Sequence, residues 1–169
     1  IVFTTITPAK WHLENFTGIA RRLEGIVDEV TISLMQPYRK TKRNLVYAAA
    51  IGGFTWSTGS TKAIRDTVPA LAEVAAQHGM SLTACSQPEL AGGPARPAAC
   101  IDAARLTAIT GQTITSKVKG NRPHCLCHAS RDVGAYDTCP HGCAYCYAVS
   151  DPAFAKQRHG AHDPDEVQL

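Results

Sequence analysis

Residues 27–34 read Val27-Asp28-Glu29-Val30-Thr31-Ile32-Ser33-Leu34. Apolar side chains at 27, 30, 32 and 34 predict a strand. Just upstream, Leu13, Phe16, Ala20 and Leu23 recur at spacings of three and four, which gives one apolar helical face. Thr7-Pro8 reads as the N-cap and first residue of that helix, and Gly25 closes it. Ile1-Val2-Phe3 reads as the end of an earlier strand. A helix followed by a strand across a short turn is the rhythm of an α/β fold.

Downstream the rhythm continues. Leu45–Ile51 has helical character and Gly52-Gly53 breaks it; Thr55–Thr61 is a Ser/Thr/Gly-rich loop. A further helix runs to about His78, with Leu71, Val74 and Ala75 inward and Gly79 as its stop. Pro69 either kinks this helix or marks its start. Ser81–Cys85 reads as the next strand, with Cys85 at its C-terminal end. Gln87–Pro97 is a loop, and Ala103, Leu106 and Ile109 lie on a short helix ended by Gly111. The stretch 113–123 is polar, basic and extended, and the tail 151–169 is polar and expected on the surface. The expected organisation is βα units of a partial or permuted (β/α) barrel over 1–112. A cysteine-rich cluster-binding segment over 113–150 and the tail over 151–169 follow.

The 169 residues suffice for a real hydrophobic core, and 44% hydrophobic with 18% charged is ordinary for a globular chain. A net charge of +3 is too small to imply nucleic acid by itself. No apolar run reaches the length of a membrane span, so no membrane partner is expected. The chain opens on Ile1 inside an apolar run, which suggests missing N-terminal sequence. Arg39, Lys40, Lys42 and Arg43 follow the first predicted strand. They read as a solvated loop or first helical turn, or as an anion contact at the sheet edge.

Seven cysteines are an odd number that disulfides cannot exhaust, and five of them fall between Cys125 and Cys146. That clustering favours metal over a secreted disulfide framework, and with it a reducing, cytoplasmic setting. Cys139, Cys143 and Cys146 have the spacing C-x3-C-x2-C. Three thiolates can hold three irons of a 4Fe–4S cube and leave the fourth open to a ligand. Cys85, Cys100, Cys125 and Cys127 remain, the full complement of a closed metal site. They read as a second 4Fe–4S cluster, as a zinc site, or as unligated core cysteines. Cys125 and Cys127 can share one centre only where the backbone turns sharply. His124, His128 and His141 flank the cysteines as hydrogen-bond donors to sulfur, pocket residues, ligands or plain surface histidines. Asp132 and Asp137 bind a polar substrate or cap a turn.

The three-cysteine loop resembles the cluster loop of the radical S-adenosylmethionine (SAM) superfamily, C-x3-C-x-aromatic-C, with Cys139, Cys143, Tyr145 and Cys146 in the matching places. That resemblance implies an open 4Fe–4S cluster, SAM as cofactor and Tyr145 against its adenine. It also implies an unknown substrate and an electron donor such as a ferredoxin or flavodoxin. The wider run from Cys125-Leu126-Cys127 through Asp132-Val133-Gly134-Ala135-Tyr136 to Tyr145-Cys146-Tyr147-Ala148 resembles an uncharacterised bacterial family, domain of unknown function 1848. Tyr38-Arg39-Lys40-Thr41, Cys100-Ile101-Asp102 and His162-Asp163-Pro164 carry the same resemblance. It implies that the chain is the C-terminal part of a longer protein.

Two features depart from the superfamily. The loop lies late in the chain instead of after a first barrel strand, and no Gly-Gly-Glu-type run follows it. These departures keep two other readings open: a non-catalytic iron–sulfur redox sensor or electron carrier, and a zinc-stapled nucleic-acid-binding module using Arg39–Arg43. No catalytic side chain is assigned.

Overall fold

The computed structural model describes residues 3–4, 9–58, 61–163 and 165. In chain order the elements are β1 (Phe3–Thr4), α1 (Ala9–Leu23), β2 (Glu29–Ile32), α2 (Arg39–Gly52), β3 (Trp56–Ser57), α3 (Thr61–Gln77), β4 (Ser81–Ala84), β5 (Arg96–Pro97), α4 (Ala103–Thr110) and α5 (Pro152–Gly160). The architecture is mixed α/β, with a small parallel sheet and helices, and the chain divides into two compact units. The first comprises Ile1–Met35 and Ser57–Ser130, the second Gln36–Trp56 and Arg131–Leu169.

In the first unit β2, β4 and β5 lie side by side in that order, all parallel. Val30 pairs with Leu82 and Thr31 with Thr83, whose hydroxyls meet at 3.0 Å. Parallel strands need crossovers, which place helices over the sheet. Ala20 of α1, Ile64, Val68, Leu71 and Ala75 of α3, and Leu82 and Ala84 of β4 form one buried cluster. Leu13, Phe16, Val30 and Ile32 pack against it, so the apolar faces read from the sequence are the faces used. The predicted Thr7-Pro8 helix start lies outside the described residues.

The α3 helix continues through Pro69, so this residue is not its start. An interior proline costs about 3 kcal/mol through the lost hydrogen bond and ring clash. Ile64, Val68 and Leu71 are each no more than 3% exposed, and burying each contributes about 1.5–3 kcal/mol. Packing outweighs the proline.

Two elements lie where the sequence reads as loop or tail. β5 is a two-residue edge strand, where the missing N–H of Pro97 is tolerated. α5 begins at Pro152 behind Asp151, whose carboxylate accepts from the Ala153 and Phe154 N–H groups. An Asp N-cap followed by Pro is a start signal legible in the sequence. The 55–61 stretch carries the short β3. Among the described residues no helix is long and apolar enough to cross a membrane.

In the second unit, Arg39, Lys40, Lys42 and Arg43 form the first turn of α2, in agreement with the helical-turn reading. Its end is set by Gly53 in the left-handed conformation at φ 64°, which donates back to Ala49. Thr41 and Leu45 are buried on its inner face. Arg158 of α5 donates to the Tyr136 carbonyl at 2.8 Å.

Candidate metal centres

The three-cysteine loop of the second unit is closed at its neck by Asp137 and Ser150. Asp137 takes a left-handed φ of 58°, and its N–H donates to the Ala148 carbonyl at 3.0 Å. Its carboxylate accepts from the Ser150 N–H and, at 2.6 Å, from the Ser150 hydroxyl. Those two bonds, the hydroxyl first, hold the Asp137 carboxyl below its usual range. The enclosed stretch is a compact Ω-type loop. Asp132 accepts from the Gly134 N–H at 3.0 Å and so caps a turn, one of the two roles its position allowed.

Inside the loop the Cys146 N–H donates to the Cys143 carbonyl at 3.0 Å, and Gly142 takes a φ of 66° that the turn requires. Cys139 and Cys143 are exposed and Cys146 is half-buried. The loop is fastened to the start of α2 by two side chains. The Tyr145 hydroxyl accepts from the Gln36 N–H at 3.2 Å and donates to its carbonyl at 2.9 Å. The Lys40 ammonium donates to the Tyr147 carbonyl at 3.1 Å. Between Asn44, Tyr47 and Ile51 of α2 and Cys143 and Cys146 of the loop lies a cavity of about 550 Å3. That volume is in the range of small-molecule pockets, roughly 300–1,000 Å3.

The other four cysteines all belong to the first unit. Cys85 directly follows β4, and its N–H continues the ladder to Ile32 at 3.0 Å. Ser86 turns the chain away at φ 55°. The buried side chain of Gln87 then pairs both ways with the Leu34 backbone, at 2.6 and 3.0 Å. Cys100 precedes α4, whose N-cap Asp102 accepts from the Ala104 N–H at 2.9 Å.

Cys125 and Cys127 come from a hairpin around a Val118–His128 bridge, in which the Lys119 N–H donates to the Cys127 carbonyl at 2.9 Å. His128 docks the hairpin onto the start of α4. Its N–H donates to the Ile101 carbonyl at 2.9 Å, and its Nδ1 accepts from the Ala103 N–H at 3.3 Å. The sharp turn that Cys125 and Cys127 need is supplied by His124, at a left-handed φ of 62°, and by Gly120. A Cβ on Gly120 would stand 2.4 Å from both the Cβ and the carbonyl oxygen of Cys125.

Cys100 has Cys85 and Cys127 as electrostatic neighbours, and Cys125 has Cys127. An Arg122 Nη donates to Cys85 Sγ at 3.1 Å and to the Cys85 carbonyl at 3.4 Å. Burial pushes the Cys85 thiol up, but hydrogen bonds from Ser86 and Arg122 and the guanidinium charge outweigh it, and the net shift is downward. Burial, then the neighbouring Cys85 and Cys127, push Cys100 up to about 11. Backbone hydrogen bonding from Cys127 leads the shift of Cys125 down to about 7, against a smaller opposing effect of burial. Among the described residues no three His, Cys, Asp or Glu side chains stand at metal-holding geometry.

Residues 1–148 match the family model described as domain of unknown function (DUF1848). Neither a curated protein nor a solved structure matches the chain.

Proposed function

The chain belongs to the family described as domain of unknown function (DUF1848), and from that premise we propose an iron–sulfur protein of radical SAM type, with an open 4Fe–4S cluster on Cys139, Cys143 and Cys146. The observation that carries the reading is the closed loop over 137–150, which presents three thiols of cluster spacing beside a cavity of about 550 Å3. The donor set fits. Thiolates are the ligands that iron–sulfur clusters take, and three of them leave one iron open. Such a cluster supplies an electron and an open position for the amino and carboxylate groups of SAM.

The chain's own residues orient and enclose. Tyr145 and Lys40 hold the loop against α2, and Tyr47, Ile51 and Val149 give the cavity apolar walls. The Tyr145 hydroxyl is occupied by Gln36 while its side chain stays 38% exposed, which leaves ring surface for an adenine. The same proposal takes β2, β4 and β5 with α1 and α3 as part of a partial or permuted (β/α) barrel, and residues 113–150 as its iron–sulfur extension. It also places the protein in the cytoplasm, with a ferredoxin- or flavodoxin-class electron donor.

Anaerobic reconstitution with iron and sulfide, followed by SAM and a low-potential reductant, is the test. Formation of 5′-deoxyadenosine is expected; a cluster-loaded protein that forms none overturns the enzyme reading. The lack of a Gly-Gly-Glu-type run after Cys146 favours one second reading, a non-catalytic iron–sulfur redox protein. In that case the reconstituted protein shows a reversible redox signal that SAM leaves unchanged.

A further inference from the structure

We propose that the exposed face of α2 is the docking surface for the electron donor, an acidic one-electron carrier protein. The identity of the partner rests on the cluster reading of the three-cysteine loop; its acidic chemistry rests on α2 alone. Arg39, Lys40, Lys42 and Arg43 crowd the first turn of this helix, which holds no acidic side chain. Among the described residues none of the four forms an ion pair, and Arg39, Lys42 and Arg43 are exposed. Tyr38 supplies no side-chain cap, so the open N–H groups of the turn add to its positive potential. Like charges this close repel one another, and an acidic surface laid over them offsets that cost.

The turn does not stand alone as a solvated charge run. Val46, Tyr47 and Ile51 follow it along the helix, 55%, 69% and 70% exposed. Arg39, Arg43, Val46, Tyr47 and Ala50 recur at helical spacing, away from the buried Thr41 and Leu45. Exposed apolar area that contains tyrosine and is bordered by arginine has the composition of a protein interface. A nucleic acid takes cations along a groove and gains nothing from Val46 or Ile51. Position gives the partner its role. Lys40 donates to the Tyr147 carbonyl at 3.1 Å and the Tyr145 hydroxyl donates to Gln36, so the residues on both sides of Cys146 are bonded to the start of α2. A carrier seated on this face comes to rest beside the loop and gives up one electron there, with no bond made or broken. Encounters of that kind are small and short-lived, and complementary charge steers them.

The test pairs the whole chain with flavodoxin. Calorimetric binding to the unaltered chain is expected, and it should weaken by about tenfold or more as salt rises and screens the contact. That series does not depend on how any variant folds. Arg39→Glu together with Arg43→Glu is expected to weaken binding by at least about tenfold, and Val46→Ser severalfold. Glutamate in a first turn suits the helix dipole, so the fold is kept. In reconstituted protein the double variant is expected to slow bleaching of the cluster by reduced flavodoxin and to leave bleaching by dithionite unchanged. Undiminished binding by the double variant, or binding indifferent to salt, would overturn the proposal. So would tighter binding of duplex DNA or of phosphatidylserine vesicles than of flavodoxin, or a dimer broken by Val46→Ser in a chain that binds no flavodoxin. A chain that forms no cluster yet binds flavodoxin through these charges supports the surface and sinks the reading of the loop; a cluster-loaded chain that binds none does the reverse.

Discussion

The Arg122 guanidinium donates a hydrogen bond to the Cys85 sulfur at 3.1 Å and, from the same nitrogen, to the Cys85 carbonyl at 3.4 Å. One side chain thus braces both the backbone and the sulfur of the strand-end cysteine. Arg122→Ala removes both bonds and is expected to destabilise the protein by about 1–2 kcal/mol, read from the urea midpoint. An unchanged midpoint would mean that the brace carries no stability.

Gly120 and Gly18 make a matched pair. At Gly120 a new Cβ meets the Cys125 main chain, which cannot swing aside like the tip of a flexible side chain. Gly120→Ala is expected to destabilise the protein by about 1–3 kcal/mol, read from the urea midpoint. Gly18, inside α1, has nothing within 4 Å of its would-be Cβ. Gly18→Ala is expected to stabilise by roughly 0.5–1 kcal/mol.

Pro69 is exposed in the middle of α3, so its removal costs no packing. Pro69→Ala restores a backbone donor and is expected to raise stability by about 1–3 kcal/mol in the same urea assay. A loss of stability would mean that the proline ring has a packing role on the helix.

Asp137→Asn keeps an oxygen for Ser150 but loses the charge. The folded carboxyl lies below its usual value because the Ser150 hydroxyl and N–H favour the ionised form. Its contribution is therefore present above the unfolded carboxyl pKa of about 3.9 and is lost as pH falls through the lower folded value. The variant is expected to be the less stable one at neutral pH. The gap should narrow on acidification below that range, followed by thermal melts across a pH series.

Tyr145 has two separable parts. Tyr145→Phe removes the bridge to Gln36 and is expected to cost about 1–2 kcal/mol while leaving the ring. If the ring meets the adenine of SAM, the Phe variant keeps cofactor affinity and Tyr145→Ala loses it, as equilibrium dialysis of the reconstituted protein would show.

Local signals made much of the fold legible. The apolar spacing over Leu13–Leu23, the stop at Gly53, and Asp102 and Gly111 around α4 each act within one or two turns of chain. Asp151-Pro152 carried an equally local signal for α5 amid polar residues. β5 could not be seen, because two exposed residues pair only through the partner strand beside them. The candidate sites divide the same way. The spacing Cys139, Cys143, Cys146 is visible on the page, whereas the neck at Asp137 and Ser150 depends on the loop's path. The placement of Cys85, Cys100, Cys125 and Cys127 in one unit depends on strand order and on His128 docking the hairpin, neither of which spacing encodes.

The two cysteine groups also differ in when they can exist during synthesis. All residues of the first unit have been made once Ser130 is added, so its four thiols can converge while the remainder of the chain is still within the ribosome. The second unit cannot close then. Gln36 and Lys40 have already emerged, but Tyr145 and Tyr147, which they bind, are more than a hundred residues later. The segment 36–56 must therefore wait as an unpartnered insert until Tyr145 and Tyr147 have emerged. The three-cysteine loop is thus the later of the two groups to take its folded shape.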